Sequence, residues 1–119
     1  MAENITVDPK DAQDNKVMGI LAYLWILVLV PILAAKESPF ARYHANQGLI
    51  LLITCIAVYI AFFILAIALA FAGLALIIYL LQTVIYLGLL VLTILGIVNA
   101  AKGECKPLPL IGNLFTIIK

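Results

Sequence analysis

The residues that could do chemistry gather in one polar island, Lys36-Glu37-Ser38-Pro39-Phe40-Ala41-Arg42-Tyr43-His44-Ala45-Asn46-Gln47-Gly48. It holds the chain's only histidine, beside an arginine, a tyrosine and two amides. An imidazole titrates near neutral pH, so His44 could sense pH or relay a proton. The simpler reading is an interfacial histidine satisfied by water, lipid or a carbonyl, because a relay needs a partner that the sequence does not name. Asn46 and Gln47 lie deeper. A buried amide needs hydrogen-bond partners, so both are expected to bond another helix or the C-terminal segment. Arg42 can snorkel to lipid phosphates, and Phe40 and Tyr43 suit the interfacial aromatic belt, so these three are expected to act as anchors.

A second set follows. Tyr79, Gln82, Thr83, Tyr86, Leu90 and Thr93 recur at spacings of three and four, which puts them on one helical face. Every polar side chain between Leu74 and Val98 lies on that stripe. Polar groups facing lipid are costly, so the stripe should face protein or water. It reads either as a packing seam against other helices or as the lining of a path shared by several subunits.

No other chemistry stands out. There are no paired carboxylates within a span, no Ser/His/Asp set, no glycine-rich phosphate loop and no metal motif. Asp8, Asp11 and Asp14 repeat every third residue but lack the glycine and glutamate of a calcium loop, so they read as a solvated acidic arm. Cys55 and Cys105 lie in different surroundings and are not expected to pair. Cys105, beside a span end, reads as a free thiol or a palmitoylation site. The expectation is a non-enzyme with no cofactor and no bound metal.

The elements that must position these residues belong in a membrane. Of 119 residues, 66% are hydrophobic and 11% charged, where a soluble domain carries about 25% charged residues. Lipid is therefore the expected solvent and a partner. A net charge of +1 gives no field for nucleic acid.

The periodicity and breakers predict an all-α integral membrane three-helix bundle with a short interfacial C-terminal segment. Residues 1–16 are expected to form a flexible acidic arm. Residues 17–101 form the bundle, with spans at about 17–35, 39–72 and 75–101. Residues 102–119 form an interfacial or partly re-entrant tail. Val17 to Ala35 is uncharged and long enough to cross, with Asp14 or Asn15 as its cap and Pro31 loosening its exit. Ser38-Pro39 is a strong helix start. The uncharged run from Leu49 to Val98 is too long for one span and should break at Gly73, which can adopt the left-handed conformation that ends a helix. Gly96, Asn99 and Gly103 form a small-residue line, and Gly19, Ala22, Tyr23 and Ile26 offer another on the first helix. With three spans, the distribution of Lys and Arg favours a multi-pass cell-membrane protein with its N-terminus outside and its C-terminus cytoplasmic.

The segment from Leu29-Val30-Pro31 through Ser38-Pro39-Phe40-Ala41-Arg42-Tyr43-His44-Ala45-Asn46-Gln47-Gly48 resembles a family pattern. It is similar to small bacterial and archaeal membrane proteins described as Tic-like import components. Their mark is an aromatic, a basic residue, an aromatic, His, a small residue and Gln at a helix start, met here by Phe40, Arg42, Tyr43, His44, Ala45 and Gln47. The closing Lys102-Gly103-Glu104, Pro107 and Pro109-Leu110-Ile111-Gly112 are also similar. The resemblance implies kinship with a chloroplast inner-envelope translocon subunit, which conducts protein, and with magnetosome membrane proteins, which influence crystal growth. The chain departs from the first in its span count. It departs from the second in lacking an acidic loop at Gly73. The functional expectation is a self-associating scaffold or accessory subunit, a homo-oligomer. The alternative is an oligomeric transport or translocation component lined by the stripe.

Overall fold

The computed structural model describes residues 7–113. The first six and last six residues of the expected arm and tail lie outside them. The described chain is helical, with α1 at Pro9–Asp14, α2 at Lys16–Leu21, α3 at Leu29–Ala34, α4 at Pro39–Leu69 and α5 at Ala75–Ala101. Short 3₁₀ turns at Trp25–Val28 and Ala70–Ala72 precede α3 and follow α4.

The long helices form where the sequence places them. Ser38 Oγ accepts from the Ala41 amide at 3.0 Å, and Pro39 takes the first helical position, where its missing N–H costs nothing. At the other end, Gly73 adopts φ +71° and turns the chain into α5. The α-helix stops at Leu69, three residues short of the expected Ala72, because the last turn tightens to 3₁₀ before the glycine. At 31 and 27 residues, α4 and α5 are long and apolar enough to cross a membrane, reaching about 46 Å and 40 Å.

Val17 to Ala35 does not form the single span that the sequence predicts. The chain bends after Leu21, and Trp25 takes φ +62°, a left-handed conformation unusual outside glycine. Packing explains the break. A β-carbon on Gly48 would lie 1.8 Å from the Ala22 carbonyl oxygen and 3.2 Å from Val28 Cγ2. The glycine thus lets both the ingoing and the returning backbone press against α4. Gly19 meets Ala100, and the Tyr23 ring covers Gly96. The two small-residue lines therefore pack together, with α2 antiparallel to α5. Then α3 returns to the start of α4. Pro31 sits in the first turn of α3, where it disrupts nothing.

The outcome is a pair of short helices, α2 and α3, folded back on each other in place of a third long helix. Among the described residues, two helices are long and apolar enough to cross a membrane, and the expected span at 17–35 is not one of them. The N-terminal arm also docks. Asp11 accepts from Ser38 Oγ at 2.6 Å and from the Phe40 amide at 3.1 Å, so the arm and the start of α4 share one end of the molecule. The tail meets α4 at the same end through His44 and Gln47. The arm and the tail therefore both contact the first turns of α4.

The buried core lies at that end. It contains Ala22, Tyr23, Val28, Phe40, Ala45, Leu51, Ala100, Cys105 and Leu108. Beyond Leu51, α4 and most of α5 carry exposed apolar side chains, as lipid-facing helices do.

Candidate functional site

His44 is fully buried, its ring meeting Phe40, Tyr23 and Tyr43 edge-on at centroid distances of 4.7, 5.5 and 5.7 Å. Its Nε2 lies 2.8 Å from the Glu104 carbonyl oxygen. A carbonyl can only accept, so Nε2 carries the proton and donates. Nδ1 then accepts from the Tyr23 hydroxyl at 2.6 Å. One neutral tautomer satisfies all three groups. The imidazole is thus a rivet joining the turn after α2, α4 and the tail, and a carbonyl is among the partners that the simpler reading allowed.

Gln47 lies one turn deeper and is fully buried. Its Nε2 donates to the Gly112 carbonyl at 3.0 Å, and its Oε1 accepts from the Leu108 amide at 2.8 Å. A β-carbon on Gly112 would sit 2.5 Å from Gln47 Oε1, so only glycine permits this approach. Two side chains of α4 therefore hold three backbone groups of the tail. Leu108 is buried with them. Asn46 is buried beside them.

Asp11 completes this end. Its carboxylate also accepts from Asn15 Nδ2 at 2.8 Å. Burial pushes its pKa up, but the hydrogen bonds from Ser38, Phe40 and Asn15 outweigh that and hold it below the ordinary value. It places negative charge at the positive end of α4. The sequence reading left Asp11 in a solvated acidic arm. A carboxylate 27 residues away gives no local signal of such a contact.

Arg42 donates to the Lys36 carbonyl at 3.2 Å. Phe40 is fully buried, so it is a core residue and not an interfacial anchor. Tyr43 is half-buried, and its hydroxyl turns inward without a hydrogen-bond partner among the described residues. Cys105 is buried, and burial, with the nearby Asp11 charge, pushes its thiol up to about 11. A thiol so enclosed is not available for acylation. The Lys106 ammonium pairs with Glu104 and lowers its carboxyl pKa.

The α5 stripe behaves differently. Tyr79 is 65% exposed and Tyr86 37%. Gln82 Nε2 donates to Tyr86 Oη at 3.1 Å, Thr83 Oγ1 to the Tyr79 carbonyl at 2.9 Å, and Thr93 Oγ1 to the Leu89 carbonyl at 3.0 Å. All these bonds stay within α5, so among the described residues no side-chain hydrogen bond ties the stripe to the chain's other helices. Tyr79, Gln82, Thr83 and Tyr86 border an open concavity of about 420 Å³. Tyr86 and Thr93 also line a cleft shared with Trp25, Cys55 and Tyr59. Among the described residues, no three His, Cys, Asp or Glu side chains come together as a metal site would require.

This architecture defines a helical membrane protein with two candidate spans and a packed polar end. A model of the magnetosome magnetite crystal formation protein family matches residues 14–115, and the chain belongs to that family. It is 30% identical to magnetosome protein MamF of Magnetospirillum gryphiswaldense over 99% of this chain and all of that one. It is 27% identical to MamF of Paramagnetospirillum magneticum over 99% of this chain and all of that one. It is also 28% identical to a UPF0132 membrane protein of Methanocaldococcus jannaschii, over 85% of this chain and 67% of that one. No solved structure matches. These relatives support the magnetosome branch of the resemblance, and none of them is named as an import component.

Proposed function

We propose that the chain is a non-enzymatic, self-associating scaffold or accessory subunit of the membrane in which its family works. The observation that carries this reading is the exposed polar stripe on α5. Gln82 lies seven residues into α5, about 10 Å along it, and is flanked by uncharged sequence on both sides. An amide there has bonding capacity that lipid cannot meet, and a neighbouring protein helix can.

The setting is a two-span hairpin with both ends on one face. Lys10, Lys16, Lys36, Arg42, Lys102 and Lys106 flank the packed end, whereas the Gly73 turn has no charged neighbour. That asymmetry favours a cytoplasmic packed end and an external turn. The family description makes the magnetosome membrane the natural site. There, a scaffold would organise the membrane around crystal growth.

The concavity beside Gln82 favours a second reading, in which several copies line a path for transport or translocation. Reconstitution into liposomes separates the two. A scaffold gives oligomers by mass measurement and no flux. A path gives flux that Gln82→Leu abolishes while oligomers persist. Monomers without flux would overturn both.

A further inference from the structure

We infer that the α5 stripe docks a second copy of this chain across a two-fold axis passing beside Gln82. The inference deepens the self-association reading and rests on it. Three observations select this occupant. First, a primary amide carries both donor and acceptor, so it complements itself: two Gln82 side chains related by a two-fold axis can exchange N–H···O bonds reciprocally. Gln82 Nε2 uses one N–H on Tyr86 Oη, which leaves its second N–H and its Oε1 to form that pair.

Second, Tyr79, Thr83, Tyr86 and Leu90 follow the three-and-four spacing of a helix-pairing seam on the exposed side of α5, around the concavity that Gln82 borders, whereas Leu89 and Thr93 turn toward the chain's own core. Two parallel α5 helices can therefore meet along one continuous line. Third, the surroundings are neutral. No Lys, Arg, Asp or Glu occurs between Leu49 and Ala101, so like-charge repulsion does not oppose an identical partner. A charged partner would find nothing to pair with.

Paired copies would bring the two Tyr86 hydroxyls beside the amide pair, extending each Gln82–Tyr86 bond across the axis. The packed end takes no part. Its glutamine and histidine are already bonded within the chain.

Single-cysteine variants in a Cys55→Ala, Cys105→Ala background, reconstituted in phosphatidylcholine–phosphatidylglycerol vesicles and oxidised with copper phenanthroline, test the axis. Where that background does not fold, the same positions are scanned with a photo-crosslinking side chain in the parent chain. Tyr79→Cys and Tyr86→Cys should cross-link to themselves, whereas Val84→Cys and Val91→Cys, on the opposite face, should not. Gln82→Leu should weaken dimerisation about tenfold, with Gln82→Asn retaining part of it. Cross-linking through Val84 or Val91, equal cross-linking on both faces, or Gln82→Leu dimers as stable as the parent would overturn the axis while leaving self-association standing. A parent chain that stays monomeric at all protein-to-lipid ratios would overturn self-association too.

Discussion

Two glutamines show how differently the two ends of this molecule are built. Gln47, in the packed end, is fully buried and bonds to Gly112 and Leu108 of the tail. Gln82, on the bare stem, bonds only along its own helix among the described contacts. The residue type is the same and the helices are similarly apolar. The difference is what surrounds them. At the packed end, the chain folds back on itself three times, and every fold offers backbone groups to satisfy. Along the stems only two helices run, and polar groups must look outward. A polar residue in a membrane helix therefore reports either internal architecture or an external partner, and the neighbouring backbone decides which.

Glycines sharpen the same contrast and give the largest expected effect. Gly48→Ala would drive a β-carbon into the Ala22 carbonyl, so it should destabilise the fold by about 3 kcal/mol or more. Gly88 has nothing within 4 Å of that position. Gly88→Ala should instead stabilise the helix by up to about 1 kcal/mol. Denaturant unfolding in detergent micelles compares them. Equal effects at both sites would remove the distinction between packed end and stem.

The next effect is smaller. Gln47→Leu strands the Leu108 N–H and the Gly112 carbonyl, which should cost about 2 kcal/mol in total. Amide exchange at Leu108 should quicken and the tail should become protease-sensitive. Gln82→Leu should leave unfolding within about 0.5 kcal/mol of the parent. A tail that stays protected in Gln47→Leu would show that the Gln47 clamp does not hold it.

The smallest effect belongs to the arm. Hydrogen bonds hold the Asp11 carboxyl below its usual value of 3.8. Its contribution is fully present above the unfolded pKa and is lost as pH falls through the folded one. Docking of α1 should therefore be flat from about pH 5 to 7 and weaken below about pH 4. Exchange at the Phe40 amide would follow it. Asp11→Asn should remove that acid-dependent step while leaving the stems unchanged.

Sequence alone determined the long elements, because their signals are local. Ser38 and Pro39 set the start of α4, Gly73 set the turn, and α5 ran from Ala75 to Ala101 as its apolar pattern required. Membrane class followed from the shortage of charge. The need of Gln47 for buried partners was also legible, since an amide in an apolar helix leaves few alternatives.

Only tertiary structure decided the path of residues 17–35. Nothing in Ala22-Tyr23-Leu24-Trp25 is a helix breaker, and the stretch has the length and apolarity of a span. It breaks because Gly48 admits the Ala22 backbone and because His44 holds the Tyr23 hydroxyl. Both partners lie more than 20 residues away. The docking of Asp11 on Ser38 is equally remote. Local propensity is written residue by residue, whereas a turn held by tertiary contacts exists only once the surfaces that receive it have formed.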